Sequence, residues 1–167
     1  MGSLVFMMHT TNLKEIHRLA VRPEWIDYNG HMNVAFYVMA FDQSLDSLLD
    51  LIGFTRTHRA ETGNTVYVLE THVTYLREVK EGDPLVISLR VVDCDPKRMH
   101  LFLEMHHAEE GFLAATSEQM VLHIDASGPR AHPMADHVLA RLEELKALHE
   151  NDPLPPQVGG KIGIRRK

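Results

Sequence analysis

The chain has 167 residues, 17 Lys and Arg against 23 Asp and Glu, a formal net charge of −6 and one cysteine. That length suits one domain with a sizeable core. The acid excess argues against a protein that grips nucleic acid through its phosphates. Cys94 on its own excludes an intrachain disulfide and fits a reducing, cytoplasmic setting. No apolar run approaches the roughly 20 residues that cross a bilayer.

The opening "MGSLVFMMHTTNLKE" lacks the basic start of a secretory signal. Residues 1–16 are therefore read as an N-terminal arm, in part appended. Residues 17–27 are read as a first strand, with Pro23 assigning it to a sheet edge. Next comes "EWIDYNGHMNVAFY", which sets Asp27, Asn29 and His31 at alternate positions around Gly30. From Asn33 to Ile52 the apolar residues recur at spacings of three and four, which predicts a helix with a broad buried stripe. Asn33 suits its N-cap, and Gly53 suits the left-handed stop after it.

Four strands are predicted next, over 65–76, 83–93, 98–108 and 112–125. They are rich in β-branched and aromatic residues and separated by Gly, Asp and Pro turns. Short turns predict antiparallel pairing of neighbours. An amphipathic helix is expected over about 134–150, followed by a Pro/Gly-rich, then basic tail that stays extended until it meets a partner. The domain organisation read from this is an arm (1–16), a central domain (17–130) and a C-terminal helix with tail (131–167). An α+β architecture follows, in which a curled antiparallel sheet buries one long helix.

Twelve histidines invite a metal reading, but no HExxH or CxxC pattern is present. His100 and His106 share strand parity six residues apart, which reads as a half-solvated strand face.

The stretch from Asp27 to Tyr37 resembles the start of a hotdog-fold thioesterase. Acyl-carrier-protein thioesterases carry D-x-N-x-H-V-N-N-x-x-Y. Asp27, Asn29, His31, Asn33 and Tyr37 match it, with Met32 for Val and Val34 for the second Asn. The 4-hydroxybenzoyl-CoA thioesterase group places Gly three residues after Asp, as Gly30 follows Asp27. More narrowly, "PEWIDYNGHMNVAFYVMAFD" and "YVLETHVTYLREVKEGDPL" are similar to thioesterases of carnitine breakdown, whose proposed substrate is betainyl-CoA.

The resemblance implies hydrolysis of an acyl-CoA, in a homodimer or homotetramer whose sites take residues from both chains. Coenzyme A enters only as part of the substrate. No metal or other cofactor is implied, and neither a nucleic acid nor a membrane is an expected partner. Asp27 would be nucleophile or general base, and Asn29 would orient water or the carboxylate. His31 would relay a proton or hold the carbonyl. The helix-start amide of Val34 would donate to the oxyanion, as unpaired N–H groups at a helix N-terminus can. Gly30 lets the backbone approach the acyl group. Glu70 would complete the site from the second strand.

A trimethylammonium group would favour aromatic faces and a carboxylate. Asp42, with Trp25, Tyr28, Tyr37 or Phe41, is the candidate set for it. The row Asp42, Asp46 and Asp50 otherwise reads as a solvated helix flank. The CoA phosphates need cations, and Arg98 and Arg77 lead Lys80, Lys97 and the tail. Read without the motif, Asp27 and Asn29 are a turn and cap. Two other functions stay open: a hotdog hydratase, whose D-x-N-x-x-H is one residue longer than the pattern here, and an acyl-CoA-binding module without turnover.

Overall fold

The computed structural model describes residues 13–164. The expected arm therefore lies largely outside the described residues, as does the end of the basic tail. In chain order the elements are β1 (Lys14–Ala20), α1 (Val34–Leu51), α2 (Arg56–Thr62), β2 (Asn64–Tyr75), β3 (Pro84–Cys94), β4 (Arg98–His107), β5 (Leu113–Asp125), β6 (Arg130–Ala131) and α3 (Asp136–Ala147). The strands form one antiparallel sheet in the order β1-β3-β4-β5-β2, with β6 added to the end of β5.

The first strand departs from the expected 17–27. It ends at Ala20, and Pro23 opens a 3-10 turn, Pro23–Trp25, because its locked φ suits the first position of a helical turn. Trp25 is thereby buried and stacked on Phe36, with ring centroids 5.5 Å apart. A second departure is α2, which the sequence pattern does not signal. It is seven residues long and buries no side chain, so it carries no apolar stripe. Thr55, whose hydroxyl accepts from the His58 amide, starts it.

α1 follows expectation closely. Asn33 accepts the Ala35 amide through its side chain. At the other end Gly53 takes φ +86°, the Gly53 amide bonds Asp50 O and the Phe54 amide bonds Leu49 O, a Schellman stop. Its stripe of Tyr37, Ala40, Phe41, Leu45, Leu48 and Leu49 packs on one sheet face. That face carries Leu85, Ile87, Leu89 and Val91 of β3 and Met99, Leu101, Leu103 and Met105 of β4, in the alternation a strand imposes.

The largest topological departure lies between β2 and β3. They are not a hairpin, since β2 pairs with β5 at the far edge of the sheet from β1. Residues 76–83 instead cross the end of the sheet. Val79 is fully buried in that crossing, and its carbonyl accepts the Met32 amide at 2.9 Å. Gly82 N–H to Val21 O and Val21 N–H to Asp83 O tie the crossing to the segment after β1. Pairing β2 with β5 gives β2 eleven antiparallel partner positions along its length.

The outer face of β4 is half-buried at His100 and His106, as expected, and closed between them at Phe102 and Glu104. Arg90, Phe102 and Glu118 lie side by side across β3, β4 and β5. The buried Arg90 guanidinium donates to the carbonyls of His149, Asp152 and Pro153, and Glu118 accepts the Gly159 amide. The chain after α3 is therefore pinned across the sheet as far as Gly159, rather than awaiting a partner. Phe102 lies between its two anchors. His100 and His106 share the outer face as their parity requires, since the register irregularity near His106 is an extra residue in β5 and β4 itself runs unbroken against β3. His100 meets Glu118 at 2.7 Å and His106 lies 3.7 Å from Glu104.

At the other end of the core, His123 is fully buried against the Phe54 ring, with centroids 5.2 Å apart, and its Nδ1 donates to His132 O at 2.6 Å. Burial pushes its pKa below the ordinary 6.5, and does so against the bond to the His132 carbonyl, which favours the charged ring. The unfolded chain therefore takes up this proton first as pH falls. The stabilising contribution is full above about pH 6.5 and is lost through the interval down to the folded-state pKa. Thermal melts at falling pH are expected to show a declining Tm below that point. His123→Asn can keep the bond to His132 but cannot titrate, so it should weaken that decline while lowering Tm throughout.

Candidate active site

The polar cluster before α1 is built as a tight hairpin. Ile26 bridges Met32, the Asp27 amide bonds His31 O, and the Gly30 amide bonds Asp27 O, with Gly30 at φ +79°. That backbone conformation is one that residues with a Cβ rarely adopt. The Asp27 carboxylate accepts the Asn29 amide at 2.8 Å through Oδ1. Asp27 is partly exposed, ahead of the start of α1 in the chain. The turn-and-cap roles are thus real, and they also fix the carboxylate in place. Asn29 and Tyr28 stand out in solvent, Tyr28 at 96% exposure.

His31 lies against Glu78 of the crossing, Nε2 to Oε1 at 3.3 Å. Nothing in the linear pattern singles out Glu78, which becomes a neighbour only because the 76–83 segment crosses beside the hairpin. At the start of α1, Asn33 takes the Ala35 amide with its side chain and the Phe36 amide with its carbonyl. The Val34 amide heads the helix outside both bonds, and Val34 itself is exposed. Tyr75, at the end of β2, sends its hydroxyl to Val34 O at 3.4 Å and sets its ring edge-on to Tyr37 at 5.2 Å. Burial raises both phenol pKa values above the usual 10.

Other candidates are spread more widely. Phe41 is 1% exposed within the core, whereas Asp42 beside it in sequence faces solvent with Asp46 and Asp50. Successive helix residues point about 100° apart, so the two cannot share one pocket wall. Trp25 is closed off by Phe36 on one side and Arg22 on another.

Glu70 pairs with Met120, one step out of phase with the inward-facing Gln119 and Val121. It therefore lies on the outer sheet face, where it lines a cavity of about 290 Å³ with His72, His100, Glu118 and Gly159. Within one chain Glu70 and Asp27 are on opposite sides of the sheet. Arg98 is held by Asp95 at 2.6 Å in the β3–β4 turn, at the far end of strands about 30 Å long. Arg77 is at the near end, over the Phe112 ring at 3.7 Å and 3.6 Å from Glu110. Among the described residues no group of three or more His, Cys, Asp or Glu is placed to hold a metal ion, and no helix is long and apolar enough to cross a membrane.

A carboxylate and an uncommitted helix-start amide at one open mouth are equipment for acyl transfer. The chain belongs to the thioesterase-like superfamily, whose family profile matches residues 21–142. It is a thioester hydrolase with the hotdog architecture, a curled antiparallel sheet around α1.

Among curated proteins it is 40% identical to a betainyl-CoA thioesterase of Pseudomonas aeruginosa over 144 residues, 86% of this chain and 91% of that one. It is 36% identical over 146 residues to an L-carnitine dehydrogenase/betainyl-CoA thioesterase of Rhizobium meliloti, covering 87% of this chain but only 29% of that relative. Among solved structures, a hypothetical protein from Staphylococcus aureus in complex with CoA superposes with a TM-score of 0.84 at 30% identity, over 92% of this chain and 97% of that one.

Proposed function

We propose that the protein hydrolyses betainyl-CoA to betaine and free CoA, with the mouth of α1 as its catalytic centre. The observation that carries the site is the Asp27–Gly30 turn, which holds a partly exposed carboxylate just ahead of the uncommitted Val34 amide. The substrate reading rests on the 40% identity to the Pseudomonas aeruginosa enzyme across nearly the whole of both chains.

In this mechanism the thioester oxygen accepts from the Val34 amide, which stabilises the charge that develops there. Asp27 attacks the carbonyl carbon, or takes a proton from the water that does. The C–S bond breaks and CoA leaves as thiolate. When water is the attacking group the acid is released directly. When Asp27 attacks, water then cleaves the mixed anhydride to free acid and regenerated carboxylate, the proton that water loses going to the thiolate. Asn29 and His31 flank the carboxylate, with His31 positioned by Glu78. The chemistry requires neither metal nor organic cofactor, and coenzyme A enters only as part of the substrate. A single turnover in labelled water separates the two roles of Asp27: label appearing in the carboxylate of Asp27 marks attack by the side chain.

The protein is proposed to work in the cytoplasm as at least a homodimer. β2 is an open edge strand carrying exposed Tyr67, Val68 and Leu69, an apolar edge that a second copy would cover. Residues outside the single-chain site, Glu70 and Arg98 among them, would reach a site only across such an interface.

The decisive assay compares thiol release from betainyl-CoA and from tert-butylacetyl-CoA, its neutral carbon isostere. A higher kcat/KM for betainyl-CoA is expected. Equal efficiency on the two would remove betainyl-CoA as the preferred substrate while leaving thioester hydrolysis intact.

A further inference from the structure

We infer that Tyr75 recognises the trimethylammonium group of the substrate, an inference that rests on the betainyl-CoA reading. A quaternary ammonium carries no N–H to donate, so it is held by π faces that attract its electropositive methyl groups. The aromatic rings offered by the sequence around Asp27 are poorly placed for this. Trp25 is stacked under Phe36, Phe41 is inside the core, and Tyr28 projects into solvent. Tyr75 is the ring that lies both open and next to the helix start. It is 45% exposed, and its hydroxyl is 3.4 Å from Val34 O.

The distances suit betaine in particular. A residue's amide nitrogen and carbonyl oxygen are within about 4 Å of each other, which keeps the Tyr75 hydroxyl within roughly 7 Å of the candidate oxyanion donor. In a betainyl thioester the ammonium is two bonds from the carbonyl carbon. With the carbonyl oxygen on the Val34 amide, the cation lies roughly 5–6 Å from that nitrogen, counting one hydrogen bond of about 2.9 Å. A ring centroid attracts a cation from within about 6 Å. Tyr37, buried and edge-on behind Tyr75, braces the ring so that little freedom is lost on binding. A longer acyl chain would carry a terminal charge beyond this reach, so the ring selects for a cation close to the thioester.

The test is the ratio of kcat/KM for betainyl-CoA over tert-butylacetyl-CoA in three proteins. Wild type should favour betainyl-CoA, and Tyr75→Phe, which keeps the ring, should retain that preference. Tyr75→Leu should lower the ratio by roughly 2- to 30-fold, the span of a single cation–π contact. A purely structural role would lower both substrates together and leave the ratio unmoved. An unchanged ratio in Tyr75→Leu, against a clear wild-type preference, overturns the assignment of Tyr75 alone. No preference in wild type instead overturns the substrate reading on which it depends. If Tyr75→Leu does not fold, Tyr75→Gln supplies the same readout.

Discussion

Asp27→Asn is expected to lower kcat by about two to four orders of magnitude, the usual contribution of a positioned acid, base or nucleophile. The substitution isolates chemistry from architecture. Asp27 Oδ1 accepts the Asn29 amide at 2.8 Å, and an asparagine Oδ1 can accept the same bond. The backbone bonds from Asp27 N–H to His31 O and from Gly30 N–H to Asp27 O do not involve the side chain at all. The turn, the Ile26–Met32 bridge and the Val34 amide should all survive, so the thermal melt should overlay wild type. Thiol release from an acyl-CoA measures the loss. Turnover near the wild-type rate would show that the carboxylate is a turn former and nothing more. In that case the search for the catalytic group moves to His31 and Glu78.

The largest expected effect on stability is at Phe41. Truncation to alanine should cost about 3–5 kcal/mol, as removal of a fully buried aromatic does when the surrounding core cannot collapse into the space. Phe41 is 1% exposed among Leu45, Leu48 and the inward residues of β3 and β4, on the face of α1 turned to the sheet. Urea unfolding is the measurement, with a lowered midpoint and an unchanged m-value marking a two-state loss of stability. This separates the two readings of the residue. A pocket wall open to substrate would cost little in folding and much in KM, whereas a core residue does the reverse.

The first half of α1 and its approach were legible because everything that shapes them is local. The spacing of Phe36, Tyr37, Ala40 and Phe41 declares a helical period. Asn33 and Gly53 mark its ends through hydrogen bonds to residues two to five positions away. Asp27 and Gly30 close a turn within four residues. The strands were legible from composition and turn residues, with boundaries within about three positions except for β1. There Pro23 and Trp25 turn the chain in under the core, and the strand stops early.

What the residue pattern could not supply is the partner of each element. The local rule that neighbouring strands pair would have joined β2 to β3. The molecule instead pairs β2 with β5, and the connection that this requires crosses the end of the core, where Val79 is fully buried. Glu78 meets His31, and Tyr75 meets Val34, only through that crossing. The same limit applies to Arg90, which reads as one charge in an apolar strand until three carbonyls from residues 149–153 close over it. By itself the sequence determined the long helix, its caps and the carboxylate turn at its mouth, since each is settled by interactions within a few residues. The tertiary structure alone decided which side of the sheet each candidate faces. It set Glu70 on the outside, Phe41 in the core and Tyr75 beside the helix start, because a strand's face follows from its partner and register, and those are chosen by burial over the whole sheet.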